Sequence, residues 1–439
     1  MYRRYTSFDD MIRDESLKKV KRVIVDNFSY HISRVKSNIF FVEDYIESEW
    51  RDIYSIYYSK LNKTISNSTK RIHFISEDID DIKLISDTNY NGYITIRPIG
   101  GKLSLSRVRL RYDCSFYETK AMDVIEQKTV VNFPHISISY DSFPFFRQDG
   151  MVTVCAHADI HMLIKTMHKR HKFNHYGITN ILKKINNNHG RDIPSEGLSM
   201  NDMVKALKER GFNPLITQFK KGKYILQDGE IEIEKYSILD FLDSMIESAL
   251  PVILAYDGHV IILAGISKIE DKYLFFDDSG AHLSKLDGDG SNFSKLISKS
   301  EILEKLSFQQ EEAFVLVPTF KSFYFRYKTL LEILITDTKY SRFFQSKKRI
   351  LLVQSSRVKQ HLNYIGIEEL NSTLLPNYVW FIEIYKGDKV SVVCLVDASE
   401  HQHIETIPFI YSKDENGQKA EIFFRPKIEL EIKLLKEVS

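Results

Sequence analysis

The stretch from Ala249 to Ile266 is the most apolar in the chain, and Asp257-Gly258-His259 interrupts it. That interruption argues against a membrane-spanning helix and for two short buried strands joined by a tight turn. A third apolar run, Tyr273 to Phe276, follows a polar turn and ends on Asp277-Asp278. An antiparallel sheet is therefore expected here, with strands at Val252–Tyr256, His259–Ile266, Tyr273–Phe276 and Ala313–Val317. Helices are expected around it, at Ala156–His171, Tyr176–Asn187, Ser199–Arg210, Ser237–Ala249 and Ser300–Leu306. The third is the best signalled: Ser199 caps it, Asp202 sits three residues on, and Gly211 stops it. Helices first and an antiparallel sheet afterwards give an α+β class for residues 141–318.

The flanks read differently. Residues 1–90 are expected to be mostly helical, because Phe40, Phe41, Tyr45, Trp50, Ile53, Tyr54, Tyr57 and Leu61 recur at roughly helical spacing. A polar loop is expected over 62–69, strands over 71–75, 92–99 and 132–140, and a turn at Pro98-Ile99-Gly100-Gly101. Residues 378–439 read as mainly β, with an alternating tail at Ile428 to Ile432. Residues 321–360 carry ten Lys/Arg against two Asp/Glu. This suggests three domains: 1–140, helical then β; 141–318; and 319–439, a basic helical segment followed by a mainly β region.

Composition narrows the function classes. With 43% hydrophobic and 27% charged residues, disorder does not dominate. A net charge of +2 makes no case for a nucleic-acid partner across the whole chain. Cys114, Cys155 and Cys394 are far apart and odd in number, so there is no disulfide framework or zinc-finger spacing. Lone thiols of this kind, with no apolar secretory segment near Met1, suit a reducing cytoplasm.

Cys155 sits where the irregular Arg147-Gln148-Asp149-Gly150 gives way to the expected helix. A helix start favours the thiolate, since its unpaired N–H groups carry partial positive charge. Thr153 would be the N-cap. His259 lies 259 − 155 = 104 residues later at a strand start, and Asp277 a further 277 − 259 = 18 residues on, at the end of the next strand. A hairpin between those strands would return Asp277 to His259. A thiol, an imidazole to take its proton and a carboxylate to orient the ring are the parts of a cysteine nucleophile site. Gln148, seven residues before Cys155, is placed to offer an oxyanion donor beside the Cys155 N–H.

With these residues, segment 145–280 resembles the papain-like cysteine peptidase fold, most closely the bacteriocin-processing (C39-like) group. The matching elements are Gln148, Cys155 opening a helix, Gly258-His259-Val260-Ile261-Ile262-Leu263-Ala264-Gly265, and Phe276-Asp277. The resemblance implies a thiol protease: Cys155 as nucleophile, His259 as base then acid, Asp277 as orienter and Gln148 as oxyanion donor. It also implies cleavage of a protein or peptide substrate, often after paired glycines, with no cofactor or metal. Three positions depart from the group. Ala156 stands where glycine is usual, the Gln148-to-Cys155 gap is one residue longer, and Asp278 replaces a proline. The last departure leaves Asp277 and Asp278 open as the third residue.

Other readings compete. An acyltransferase would use the same Cys-His-Asp site, and an inert papain-like scaffold would bind without cutting. His157 and His161, at i and i+4, are a zinc-ligand pair with Cys155 beside them, against a bland reading as exposed helix histidines. Asp287 to Asn292 is rich in oxygen ligands but reads first as a solvated loop. The basic, aromatic 321–360 run is the one candidate for nucleic acid, against an amphipathic helix with core aromatics. Residues 1–90 are a possible protein-partner surface.

Overall fold

The computed structural model describes residues 2–15, 39–99, 102–111, 122–153, 155–171, 198–220, 238–256, 258–267, 269–280, 283–308, 312–323, 347–364, 375–399, 409–413 and 419–424, with scattered positions between. The chain forms two compact units. One is Met1–Gly222 with Leu250–Pro318, the other Lys223–Ala249 with Thr319–Ser439. The 140/141 division drawn from sequence falls inside the first unit, and the helix Ile238–Glu247 belongs to the second.

Helices and antiparallel sheets together make the fold α+β. The first unit opens with a six-stranded sheet, Tyr2–Tyr5, Ile39–Tyr45, Thr69–Ile75, Tyr90–Ile99, Lys102–Leu110 and Phe145–Phe146, in that order. The helical expectation for residues 1–90 holds only in part. Their described residues mix the helices Phe8–Arg13 and Ser48–Ile56 with the strands Tyr2–Tyr5, Ile39–Tyr45 and Thr69–Ile75. Ile39-Phe40-Phe41-Val42 is buried throughout, so it carries no period-2 signal and looks helical beside Trp50 and Ile53. The strand expected over 132–140 is broken at 133–136 by a turn between the strands Gln127–Asn132 and Ser137–Ser142, closed by the Phe133 N–H on the Ile136 carbonyl at 2.8 Å.

The second sheet holds the central elements. Its antiparallel strands run Leu215–Lys220, Glu312–Val317, Val252–Tyr256, His259–Ser267, Lys272–Phe276, Ser294–Ser298 and Asp289–Gly290. Val252–Tyr256 and His259–Ser267 form a hairpin in which Tyr256 pairs His259. Gly258 in its turn has φ +69°, a left-handed conformation that glycine adopts without strain. The helix Cys155–His171 packs on His259–Ser267 and buries Ala156, Ala158, Ile160, Leu163, Ile164 and Met167. Met200–Lys208 has the expected capping box between Ser199 and Asp202. The Asp287–Asn292 stretch includes a tight strand end. A side chain on Gly290 would meet the Ser294 carbonyl at 2.3 Å.

The second unit is a five-stranded meander, Lys348–Gln354, Tyr378–Lys386, Lys389–Asp397, Phe409–Lys413 and Lys419–Phe424. Phe323 and Tyr327, from the basic run, are buried against Trp380, and Phe241 of Ile238–Glu247 packs edge-on to Tyr327. The run itself forms a strand at Lys348–Gln354 and a helix at Ser355–Tyr364. Tyr324, Phe325, Tyr340, Phe343 and Phe344 lie outside the described residues, as do most of the 176–187 segment and the 428–432 tail. Among the described residues, no helix is long and apolar enough to cross a membrane.

Candidate active site

The site grows from three local structures. First is the loop before the cysteine helix. The Asp149 carboxylate accepts from the Thr153 N–H at 2.6 Å, the Val152 N–H at 3.1 Å and the Tyr58 hydroxyl at 2.9 Å. The Thr153 hydroxyl donates to Asp149 at 2.7 Å and accepts from the Asp149 N–H at 3.0 Å. Thr153 therefore closes the loop onto Asp149, which corrects its expected capping role. Gly150, at φ +76°, donates to the Thr153 carbonyl at 3.0 Å. Arg147 ties this loop to the far side of the site, reaching Asn27 at 2.8 Å and the Ser279 carbonyl at 3.0 Å. Gln148 is half-buried in the loop, and no hydrogen bond holds its amide among the described residues.

Second is the hairpin of His259–Ser267 with Lys272–Phe276. Ile262 pairs Phe276, so the chain leaving Phe276 runs back past the start of the histidine strand. Asp277 Oδ1 lies 3.0 Å from His259 Nε2. The same oxygen accepts from the N–H groups of Ser279 and Gly280, both at 2.9 Å, and Oδ2 from the Leu283 N–H at 3.2 Å. The Ser279 hydroxyl also reaches Asp277, at 2.9 Å, and sits 3.4 Å from His259 Nε2. Asp277, not Asp278, thus bonds the imidazole, and its carboxylate is fixed by backbone donors.

Third is the thiol. Cys155 is the first residue of its helix and is half-buried. The backbone N–H groups of Ala156 and Val260 both point to the sulfur and favour its charged form. The Val260 N–H belongs to the peptide bond that follows His259, so the fold brings sulfur and histidine strand together. Burial, then Asp159, then Asp278 push the thiol up to about 12. This corrects the expectation of a thiol lowered by its helix start. The two N–H groups are outweighed by desolvation and by two acids beneath the sulfur.

Of those acids Asp159 was not foreseen from the sequence, and Asp278 was weighed only as a third residue. Asp159 and Asp278 are fully buried, and no carboxyl oxygen of either has a hydrogen-bond partner among the described residues. Burial, then Asp278 and Asp277, hold the Asp159 carboxyl well above its usual range. Burial, then Asp277, do the same for Asp278, against a smaller opposing effect of Arg147. The available signal was Asp159 itself, one turn after Cys155 on the same helix. His157 and His161 are buried too, which corrects their reading as exposed helix residues. His161 Nε2 lies 3.4 Å from Glu49, and its ring meets Phe146 edge-on. Cys394 is buried in the second unit, and Cys114 lies outside the described residues.

Comparison with protein-family models and with curated proteins finds no match to this chain.

Proposed function

We propose that the chain is a papain-like cysteine peptidase that cleaves a protein or peptide substrate through Cys155, His259 and Asp277. The observation that carries this reading is the 3.0 Å contact between His259 Nε2 and Asp277, with the next backbone N–H, that of Val260, on the Cys155 sulfur. With Nε2 committed to the carboxylate, Nδ1 is the ring nitrogen that serves the thiol.

In this mechanism Nδ1 takes the thiol proton as the sulfur attacks the substrate carbonyl carbon. A raised thiol favours transfer during attack over a standing ion pair. The new C–S bond gives a tetrahedral oxyanion, which the Cys155 N–H and the untethered Gln148 amide would stabilise. The C–N bond then breaks, and the imidazolium passes its proton to the leaving amine. Water, deprotonated by His259, attacks the thioester, and the sulfur leaves with the proton restored. An inert scaffold is the second reading, favoured by the raised thiol and the unpartnered acids beneath it.

The test is a peptide-based electrophilic thiol probe together with turnover of a fluorogenic peptide library. Labelling at Cys155 in preference to Cys114 and Cys394, with turnover lost in Cys155→Ala and a preserved melt, supports the peptidase. Absent or indiscriminate labelling supports the scaffold, and turnover retained by Cys155→Ala refutes the assignment.

A further inference from the structure

We propose that His259, Asp277 and Asp278 form a divalent-cation site of the zinc type. One ligand atom from each lies within 4.8 Å of the others, although the three belong to a strand start and the end of the neighbouring strand. Imidazole nitrogen with carboxylate oxygen is a donor set that suits zinc, whose bonds to both run at about 2.0–2.2 Å.

An acidic cluster alone would carry little. The second observation is Asp278. It is fully buried, its carboxyl belongs to the 4.8 Å group, and neither oxygen has a hydrogen-bond partner among the described residues. Its own N–H and that of Ser279 approach it without reaching hydrogen-bond geometry, and the latter is donated to Asp277 at 2.9 Å. Arg147 is the positive group that acts on Asp278, and its two arms are engaged by Asn27 and the Ser279 carbonyl. Asp159, outside that group, is a second buried carboxyl with no partner among the described residues and acts electrostatically with Asp277 and Asp278. A buried acid is ordinarily paired, protonated or bound to metal. A dication answers the unpaired Asp278, and the hydrogen bonds that fix Asp277 give the oriented carboxylate that metal sites use.

The cation site does not rest on the thiol chemistry, although it shares His259 and Asp277 with it. A cation there would withdraw the imidazole from proton transfer, so occupancy and thiol catalysis would exclude each other.

The experiment is titration of the chelator-treated full chain with zinc alone, by calorimetry and by metal analysis after dialysis. One equivalent is expected, and Asp278→Asn should weaken it by at least about tenfold. A neutral amide fits the space of Asp278. Should that variant fail to fold, His259→Gln gives the same test. Cys155→Ala should bind zinc as the parent does. No stoichiometric uptake, or uptake unchanged in Asp278→Asn and His259→Gln, overturns the site and leaves the buried acids protonated. Loss of selective thiol labelling with zinc uptake intact counts against the peptidase alone.

Discussion

Two groups of buried acids in the first unit are treated in opposite ways. Glu47 and Glu49 lie at the start of Ser48–Ile56, under the first sheet, and basic and hydroxyl groups face both. Glu47 accepts from Ser106 at 2.7 Å and from the Thr95 hydroxyl, with Arg107 nearby, and its carboxyl stays below the usual range although burial pushes the other way. Glu49 is met by Arg107, Lys165 and His161. Asp159 and Asp278 are as buried but have no such partners among the described residues. The first group is an ion-paired network that joins helix to sheet. The second is a concentration of uncompensated acid that acts on the Cys155 thiol. Burial alone does not separate a structural acid from one held at a cost; the partners do.

The sharpest way to break this contrast is to strip the compensated group. Glu49→Ala leaves Arg107 and Lys165 buried without their carboxylate and should destabilise the first unit by about 3–5 kcal/mol. Urea unfolding measures this, and a loss below about 1 kcal/mol would make the network ornamental.

The uncompensated group should respond with the reverse sign. Asp159 has a carboxyl raised in the folded state, so folding is helped below its unfolded value and that help is lost as pH rises through the folded one. Asp159→Asn should therefore gain about 1–3 kcal/mol at pH 8 and close to nothing at pH 4. Melts of both proteins across that window decide it. A gain equal at both pH values would mean that the carboxyl is not held neutral by burial.

A smaller effect concerns the two described thiols, Cys155 and Cys394, each pushed up to about 12. Burial alone raises Cys394, whereas Cys155 is half-buried with acids near it and N–H groups on it. Iodoacetamide should modify Cys155 first, at a rate that climbs about tenfold per pH unit from 7 to 10. A plateau already reached by pH 7 would show instead that His259 holds a resting thiolate.

The legible parts of the chain were those where local chemistry and tertiary setting agree. Val252–Tyr256, His259–Ser267 and Lys272–Phe276 were marked by apolar runs with polar breaks, and Met200–Lys208 by its own caps. The hairpin that returns Asp277 to His259 followed from strand length and turn position alone. Ile39–Tyr45 was misread because a strand buried on both faces loses its alternation. Lys102–Leu110 was missed because it carries Arg107 and Arg109 inward, to partners no local pattern reveals. The choice between Asp277 and Asp278 was illegible for a related reason. Adjacent residues of one type are told apart only by which backbone donors the next turn presents.

The first unit is discontinuous along the chain, its closing portion being Leu250–Pro318. During synthesis Cys155 emerges more than a hundred residues before His259, and the sheet beneath it is finished only when Glu312–Val317 arrives. Until then the nascent chain carries Cys155 over an unfinished sheet. A single cut after Pro318 would free the first unit only together with Lys223–Ala249, a segment of the second.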